Sequence, residues 1–306
     1  MSEPLIPLWS EDQVAAFDRT PMTYRHRLLE TGLFEDDALA RQLERHPEEL
    51  CDINLFDYDE QGQAILRTGT KGRRDGPALL EAVKAGRVWC QMRRIQDHYP
   101  ELGEVMAQAF AELSERVPGF RPVQVTGQLI LSAPGAKVPF HADPPGVTLF
   151  HLRGEKRIWI YPPDEAHLPA RVMEQVLMKQ QTEDLPYRRE MDGAAQVFDL
   201  KPGMAAAWPL HSPHRIENQD SFNLSLSCDY QTWRSRLTNG AHYANGVFRR
   251  WGLPVTPADQ APMAARAALW GASLGLRRMG VVRDRLKDFE RSFELGDALE
   301  PSRPAA

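Results

Sequence analysis

Two histidines and one aspartate constrain this chain more than any other feature of its sequence. His141 and Asp143 are separated by a single residue, and His214 follows Asp143 by 71 positions. Residues i and i+2 of an extended strand point to the same side, so His141 and Asp143 can reach one metal ion together. A ligand so far along the chain must come from another strand. Two imidazoles and one carboxylate are the facial ligand set of mononuclear Fe(II) oxygenases, so the pattern predicts strands that converge on an iron site.

The residues after Asp143 predict two strands. Phe150–Leu152 and Lys156–Tyr161 flank Gly154, and glycine at such a position is typical of the tight turn of a β-hairpin. Lys156 and the next two alternate residues, both isoleucine, share one face of the second strand. Either the Lys156 ammonium is buried opposite an anionic ligand, or it extends into water from the end of the strand.

A similar pattern surrounds the third ligand. Gly203–Trp208 predicts a short strand, and Pro209–Pro213 predicts a loop that ends where the next strand begins at His214. The even-numbered residues of that strand are expected to face inward and the odd-numbered ones outward. His211 competes for the ligand role, but a strand holds an imidazole more firmly than a loop does, which favours His214.

The stretch from His141 to Asp164 resembles the core of the JmjC and cupin-like 2-oxoglutarate oxygenases, particularly the branch of the asparaginyl hydroxylase called factor inhibiting HIF. In that branch His-x-Asp is followed by a hairpin ending in Gly-x-Lys-Arg and by an apolar strand ending in Pro-Pro-Asp. This chain has Gly154-Glu-Lys-Arg157 and Pro162-Pro-Asp164 at matching spacing. The resemblance covers roughly residues 120 to 230.

The resemblance implies an Fe(II)/2-oxoglutarate-dependent dioxygenase. His141, Asp143 and His214 would hold Fe(II), 2-oxoglutarate and O2 would be the cosubstrates, and Lys156 would pair with the far carboxylate of 2-oxoglutarate. The implied reaction hydroxylates a C–H bond of a protein, peptide or small molecule and releases succinate and CO2. Demethylation by hydroxylation of an N-methyl group is compatible with the same site.

The chain departs from the resembled branch beside the cosubstrate. Val147 and Val138 stand where the asparaginyl hydroxylase has an amide and a hydroxyl side chain. Ser225 and Ser227 alternate with leucines on a later strand, and Asn223 shares their face, so these residues are candidates for the missing polar contacts. A polar face that is simply solvated fits the same alternation.

Two other functions fit a metal site in such a barrel. One is a noncatalytic metal-binding cupin that acts as a sensor or interaction module, because the same fold serves many roles. The other is a metal-dependent enzyme that works without 2-oxoglutarate. Neither explains a buried lysine opposite the metal, so Lys156 discriminates between these functions and the oxygenase.

The expected fold is mainly β with flanking helices: a double-stranded β-helix, or cupin-like jelly roll, in residues 120–233. Residues 1–119 form a mixed α/β N-terminal extension, and residues 234–306 a helical C-terminal region. In the extension, Ser10 and Gln13 suggest a capping box, and Lys71–Asp75 suggests an exposed loop that could face the substrate. The sequence there also predicts three helices and a strand, at Asp36–Arg45, Pro77–Ala85, Glu101–Arg116 and Val88–Ile95.

Two segments outside these patterns bear on partners. Met173–Lys179 predicts a short helix and Gln180–Arg189 a polar loop, an insertion suited to substrate selection. A C-terminal helix over Pro262–Phe293 is predicted from an apolar stripe. Because members of the resembled branch pair through C-terminal helices, a homodimer is expected. The stripe consists of Val282, Leu286, Phe289 and Phe293.

Composition excludes several classes of function. A net charge of -5 over 306 residues offers no concentrated positive surface for nucleic acid. The apolar stretch Met263–Leu276 is too short to cross a membrane, and Met1–Trp9 lacks the pattern of a secretory signal. Three separated cysteines without a Cys-x-x-Cys pair favour a reducing compartment. A cytoplasmic location is therefore expected.

Overall fold

The computed structural model of the chain describes residues 3–58, 64–72, 75–86, 88–286, 291–295 and 301–302. Its strands are β1 (Met22–Arg25), β2 (Cys51–Tyr58), β3 (Ala64–Gly69), β4 (Trp89–Arg93), β5 (Pro122–Ser132), β6 (Lys137–His141), β7 (Gly146–Arg153), β8 (Lys156–Ile160), β9 (Gln196–Leu200), β10 (Met204–Ala207), β11 (His214–Asn218), β12 (Asn223–Thr232), β13 (Glu294–Leu295) and β14 (Pro301–Ser302). Its helices are α1 (Glu11–Ala16), α2 (Asp36–Arg45), α3 (Gly76–Lys84), α4 (Pro100–Arg116), α5 (Ala170–Leu177), α6 (Trp233–Arg250) and α7 (Met263–Arg278).

Two antiparallel sheets form the centre of the structure. In the larger sheet β10, β7, β12 and β5 are successive neighbours, and the smaller sheet has the order β6-β11-β8-β9. From β5 to β12 the chain crosses from one sheet to the other at every step except between β8 and β9. This is the strand order of a double-stranded β-helix, so the expected jelly roll with flanking helices is confirmed.

Side chains of the larger sheet alternate between two separate cores. Leu224 and Leu226 of β12 pack into an apolar cluster on the outer face of this sheet. Val147 and Leu149 of β7 instead contact Ile158 of β8, across the interior of the jelly roll. Because successive residues of a strand point to opposite faces, the polar residues that alternate with Leu224 and Leu226 face this interior.

The N-terminal elements extend the larger sheet and cover its outer face. β1 pairs with β10 and forms one edge of the sheet, and β4, β2 and β3 continue the sheet beyond β5. Apolar side chains of α4, among them Phe110 and Leu113, belong to the outer core. The predicted helices are confirmed, with α2 at the expected bounds. The Ser10 hydroxyl caps α1 in the predicted capping box with Gln13.

The predicted hairpin between β7 and β8 is wrong. Gly154 does turn the chain, with φ of 76°, but β7 pairs with β10 and β12 whereas β8 pairs with β11 and β9. The turn therefore carries the chain from one sheet to the other. Local turn chemistry is the same in both cases, and the strands whose pairing decides between them lie 36 or more residues away along the chain.

The predicted C-terminal helical stripe is also wrong. Helix α7 ends at Arg278, and Gly280 follows with φ of 65°. Val282 and Leu286 lie beyond the helix, and Phe289 lies outside the described residues. Phe293 lies against the N-terminal region of the chain, where its carbonyl accepts a hydrogen bond from the Thr70 amide. No helix of the described residues is long and apolar enough to span a bilayer.

Lys71 does not lie in an exposed loop, as its charged surroundings in the sequence suggested. Its side chain is buried, and Nζ donates to the carbonyls of Leu43, Glu44 and His46 at 2.7, 2.9 and 2.8 Å. These carbonyls end α2, where the helix leaves acceptors unpaired and its dipole favours a cation. Lys71 is thus the cap of α2. Arg73 and Arg74, in the same run, lie outside the described residues.

Replacing Lys71 by methionine is expected to lower the free energy of unfolding by about 2–4 kcal/mol. Three buried carbonyls lose a charged donor, and each net hydrogen bond to a charged group is worth about 1.5–3 kcal/mol before relaxation and water access reduce the sum. Urea unfolding followed by circular dichroism measures the change. Lys201→Met, at a side chain that is 63% exposed, is the matched control and should be neutral. Equal stability of the two variants would contradict the capping role.

Candidate metal centre and inner cavity

His141, Asp143 and His214 come together at one end of the interior. One ligand atom from each lies within 4.8 Å of the other two. The Asp143 carboxylate oxygens are 3.7 Å from His141 Nε2 and 3.5 Å from His214 Nε2, and the two imidazole rings are 4.1 Å apart between centroids. Three mixed nitrogen and oxygen donors at this spacing can close around one divalent ion.

Backbone carbonyls orient both imidazoles. His141 Nδ1 lies 2.8 Å from the carbonyl oxygen of Pro139, and His214 Nδ1 lies 3.2 Å from that of Ser212. A carbonyl only accepts, so each Nδ1 carries the proton and donates it. In the neutral ring the lone pair then lies on Nε2, and such a carbonyl contact to the other nitrogen is the usual support of a metal-binding histidine.

An irregularity in the pairing of β6 with β11 turns His141 inward. Val138 pairs with Ile216, but His141 pairs with His214, so three steps on β6 match two on β11. Val138 packs inside the jelly roll and Phe140 packs in a separate cluster outside it. Regular alternation from Val138 would send His141 outward, and the extra residue restores its inward direction.

Burial keeps the His214 ring neutral. The ring is fully enclosed and packs against Trp208 with centroids 4.5 Å apart. Burial, with the nearby His141, lowers the pKa of His214 to about 4. A neutral imidazole is the form that binds a metal.

Two further carboxylates lie near Asp143. Burial and the charges of Asp143 and Glu183 raise the pKa of Asp229, which lies on β12 and faces inward. Desolvation and the charge of Asp143 raise the pKa of Glu183 to about 7. The sequence analysis missed both. The inward alternation after Ser225 and Ser227 would have found Asp229, but nothing local pointed to Glu183.

Glu183 reaches the site because the predicted polar loop pairs with the end of β6. The Ala142 amide donates to the Glu183 carbonyl at 3.2 Å, and the Leu185 amide donates to the Phe140 carbonyl at 2.9 Å. The insertion between β8 and β9 thereby covers one side of the candidate metal centre.

Lys156 is buried at the other end of the same interior. It pairs with Asn218 while Ile160 pairs with His214, so four residues of β8, about 13 Å, separate Lys156 from the level of the histidines. The residue is 4% exposed, and burial lowers the pKa of its ammonium to about 7. Among the described residues no hydrogen-bond or ion-pair partner meets its Nζ. A buried cation without a counterion is a site for an anion.

The candidate polar contacts from β12 also face this interior. Asn223, Ser225 and Ser227 are all buried, so the alternative of a solvated face is wrong. The Ser225 hydroxyl lies 3.1 Å from His151 Nδ1. Burial and the charge of Lys156 lower the pKa of His151 to about 3, so this ring is neutral. The Asn223 Oδ1 has no hydrogen-bond partner within the described structure.

His211 does not join His141, Asp143 and His214. Its backbone has φ of 65°, and its buried imidazole is 2.7 Å from Asn239 Oδ1 on α6. Its neighbours are His242 and Asp259 instead. The preference for His214 over His211 as the third member of the cluster therefore agrees with the geometry.

Comparison with protein-family models and with curated proteins finds no match for this chain. Among solved structures it is similar to Escherichia coli YcfD, described as a ribosomal oxygenase. In its complex with cobalt and 2-oxoglutarate, YcfD has 17% sequence identity to this chain and a TM-score of 0.48. The match covers 94% of this chain and 70% of YcfD. The complex with cobalt and succinic acid has 17% identity and a TM-score of 0.48 over 94% and 69%. A third structure has 16% identity and a TM-score of 0.49 over 95% and 70%. Similarity at this level does not assign an activity to the chain.

Proposed function

We propose that the protein is an Fe(II)- and 2-oxoglutarate-dependent oxygenase that hydroxylates a C–H bond. One observation carries the proposal: the interior that has His141, Asp143 and His214 at one end has the buried Lys156 at the other, without an ion-pair partner in the part of the chain that the structure describes. A metal site alone does not require a buried cation at the opposite end of the interior. A short dianion that reaches the metal with one end and Lys156 with the other accounts for both ends.

The residues fit the two groups. Two imidazoles and a carboxylate match the ligand set of Fe(II), and three protein ligands would leave positions for 2-oxoglutarate and O2. Lys156 would neutralise one carboxylate of 2-oxoglutarate, and Ser225, Ser227 and Asn223 supply polar groups on the neighbouring inner face. Val138 and Val147 are apolar, so polar contacts to 2-oxoglutarate would come from β8 and β12.

When bound, Fe(II) and 2-oxoglutarate supply the oxidation: O2 converts 2-oxoglutarate to succinate and CO2 and places one oxygen atom in a substrate C–H bond. The protein orients the groups and excludes water. Apolar side chains such as Leu149, Ile158 and Trp208 line the interior and keep it dry. The insertion that carries Glu183 covers one side of the candidate metal centre, so its side chains would contact a prime substrate bound there.

The motif from Gly154 to Asp164 favours the branch of the asparaginyl hydroxylase within this class. The prime substrate in this proposal is a protein side chain, a peptide or a small metabolite. Hydroxylation is the simplest outcome for a site of this kind, and N-demethylation uses the same steps at an N-methyl carbon.

Substitutions at the two ends of the cavity should have different effects. His141→Ala or Asp143→Ala is expected to abolish Fe(II) binding and turnover. Lys156→Met should keep Fe(II) but weaken 2-oxoglutarate binding roughly 10- to 150-fold, since a hydrogen bond to a charged group is worth about 1.5–3 kcal/mol. Anaerobic titration with Fe(II) and then 2-oxoglutarate, followed by the visible metal-to-ligand charge-transfer band, measures both.

Lys201→Met removes an ammonium that is exposed on the surface, so this variant is the control and should behave as the wild type. Equal loss of metal in all three cavity variants would contradict the role of Lys156. Wild-type protein that binds Fe(II) but gives no such band would support a noncatalytic metal-binding cupin or an enzyme that works without 2-oxoglutarate.

The lowered pKa of Lys156 predicts a pH-dependent affinity. Its pKa of about 7 leaves the free amine mostly neutral above pH 7, whereas a bound carboxylate favours the ammonium. Binding of 2-oxoglutarate should then take up a proton above pH 7, and its affinity should fall by up to about tenfold per pH unit as the pH rises.

Calorimetry of 2-oxoglutarate binding to the Mn(II)-loaded protein, in two buffers of different ionisation enthalpy, measures the proton uptake at pH 6.5 and 8.5. Lys156→Met should show none of the uptake that the wild type shows at the higher pH. Undiminished uptake in this variant would rule out Lys156 as the group that gains the proton.

Homodimerisation through the C-terminal helices stays a prediction. The stripe that suggested it is not on one helix, but α7 exposes Leu274 and Met263 to solvent. Light scattering at micromolar concentration is expected to give twice the 34.7 kDa mass of the chain. A monomer mass would contradict the prediction.

A further inference from the structure

We propose that His211, His242 and Asp259 form a second metal site, separate from the site of His141, Asp143 and His214, that takes Zn²⁺ or a similar divalent transition ion. One ligand atom from each residue lies within 4.8 Å of the other two. The three come from the loop between β10 and β11, from α6, and from the turn Ala258–Gln260. A metal here would join the C-terminal helices to the loop that precedes His214.

The buried ring of His242 gives the strongest reason to expect a ligand at this site. Its side chain is 1% exposed, yet neither ring nitrogen has a hydrogen-bond partner among the described residues. Nε2 lies 3.2 Å from Asp259 Oδ2, the distance of an ion pair, whereas Nδ1 has no polar partner among the described residues. A buried polar group left unpaired costs about 1–3 kcal/mol. A metal bound to the ring would remove that cost at one of the two nitrogens.

His211 is oriented as a metal ligand would be. Asn239 Nδ2 donates a hydrogen bond to the Pro144 carbonyl at 2.8 Å, which fixes the orientation of the amide. Asn239 Oδ1 therefore faces His211 Nε2, 2.7 Å away, and accepts a hydrogen bond from its N–H. Nδ1 therefore keeps the lone pair. Burial and the neighbouring His242 lower the pKa of His211 to about 4, so the ring is neutral.

The backbone of His211 adds a second sign of constraint. With φ of 65° it occupies the left-handed region, which is unfavourable for a residue with a side chain. Such strain is maintained where the surrounding structure requires a particular orientation. Here it directs the imidazole towards α6 rather than towards His214.

Asp259 completes the set and leaves a route for the ion. Its side chain is 59% exposed, and the three residues line a cavity of about 320 Å³. Arg266 borders the same cavity, but its guanidinium donates to the backbone carbonyls of Asp259 and Ala261 and to Thr238 Oγ1. The Asp259 carboxylate therefore stays available to the metal.

The donor set selects the class of ion. Two imidazoles and one carboxylate suit Zn²⁺, Co²⁺, Ni²⁺ or Cu²⁺, with water in a remaining position. Ca²⁺ and Mg²⁺ prefer sites made of oxygen ligands. The test therefore uses Zn²⁺ as the probe.

Full-length protein freed of metal by a chelator should bind two Zn²⁺ per chain, measured by calorimetry and by metal analysis after gel filtration. The double variant His141→Ala/His214→Ala should retain one. Adding Asp259→Asn, at an exposed carboxylate whose loss should not unfold the protein, should weaken the remaining site at least tenfold. His167→Ala removes a largely buried histidine that lies 2.7 Å from Asp164 and belongs to neither cluster, so this variant is the control and should leave two sites.

Thermal unfolding tests the same site without any change to it. In the His141→Ala/His214→Ala variant, Zn²⁺ should raise Tm and a chelator should reverse the rise, because a ligand that binds only the folded state stabilises it. A single Zn²⁺ in the wild type, no Zn²⁺ in the double variant, or an affinity unchanged by Asp259→Asn would overturn the proposal. These readouts do not use turnover, so they stand or fall apart from the oxygenase function.

Discussion

The closure of two antiparallel sheets around a narrow interior is the constraint on which the rest of this structure depends. Each strand must place one face inside, and this chain places ionisable and polar groups there as well as apolar ones. Lys156, Asp143 and Asp229 all face a region where burial disfavours charge. The cation lies at one end and the acids at the other. The interior is thereby suited to a metal ion at the acidic end and to an anion at the basic end.

Backbone geometry, more than side-chain contacts, prepares the acidic end. The carbonyls of Pro139 and Ser212 fix the histidine protons, and the irregular pairing of β6 with β11 directs His141 inward. The strand ends and the loops next to them supply these carbonyls. A metal ligand held by a strand and by its own neighbouring carbonyl loses little freedom on binding, which favours a preorganised site.

The loop from Pro209 to Pro213 links the two histidine clusters. It precedes His214 of the candidate iron site and carries His211 of the proposed second site. His211 is directed to α6 and the Ala258–Gln260 turn, so the C-terminal helices contact the loop at the point where it approaches the jelly roll. Packing of α6 against α7 is close at this level, since a Cβ on Gly240 would collide with Trp270. The C-terminal region thus contacts the end of the barrel that carries the candidate metal centre.

Local patterns in the sequence predicted several strands of the jelly roll, their inward faces and the three residues of the candidate iron site. These follow from local rules: alternation within a strand gives the faces of Lys156 and Ser225, and one-residue spacing gives the pairing of His141 with Asp143. The tertiary structure was needed to show which sheet β8 joins, that Lys71 caps α2, and that His211 lies near His242 and Asp259. It also brought Cys51 and Cys90 together on neighbouring strands, with their Sγ atoms 3.5 Å apart. In each of these cases the partner is distant in the chain, and the choice depends on backbone pairing and on burial that no local pattern records.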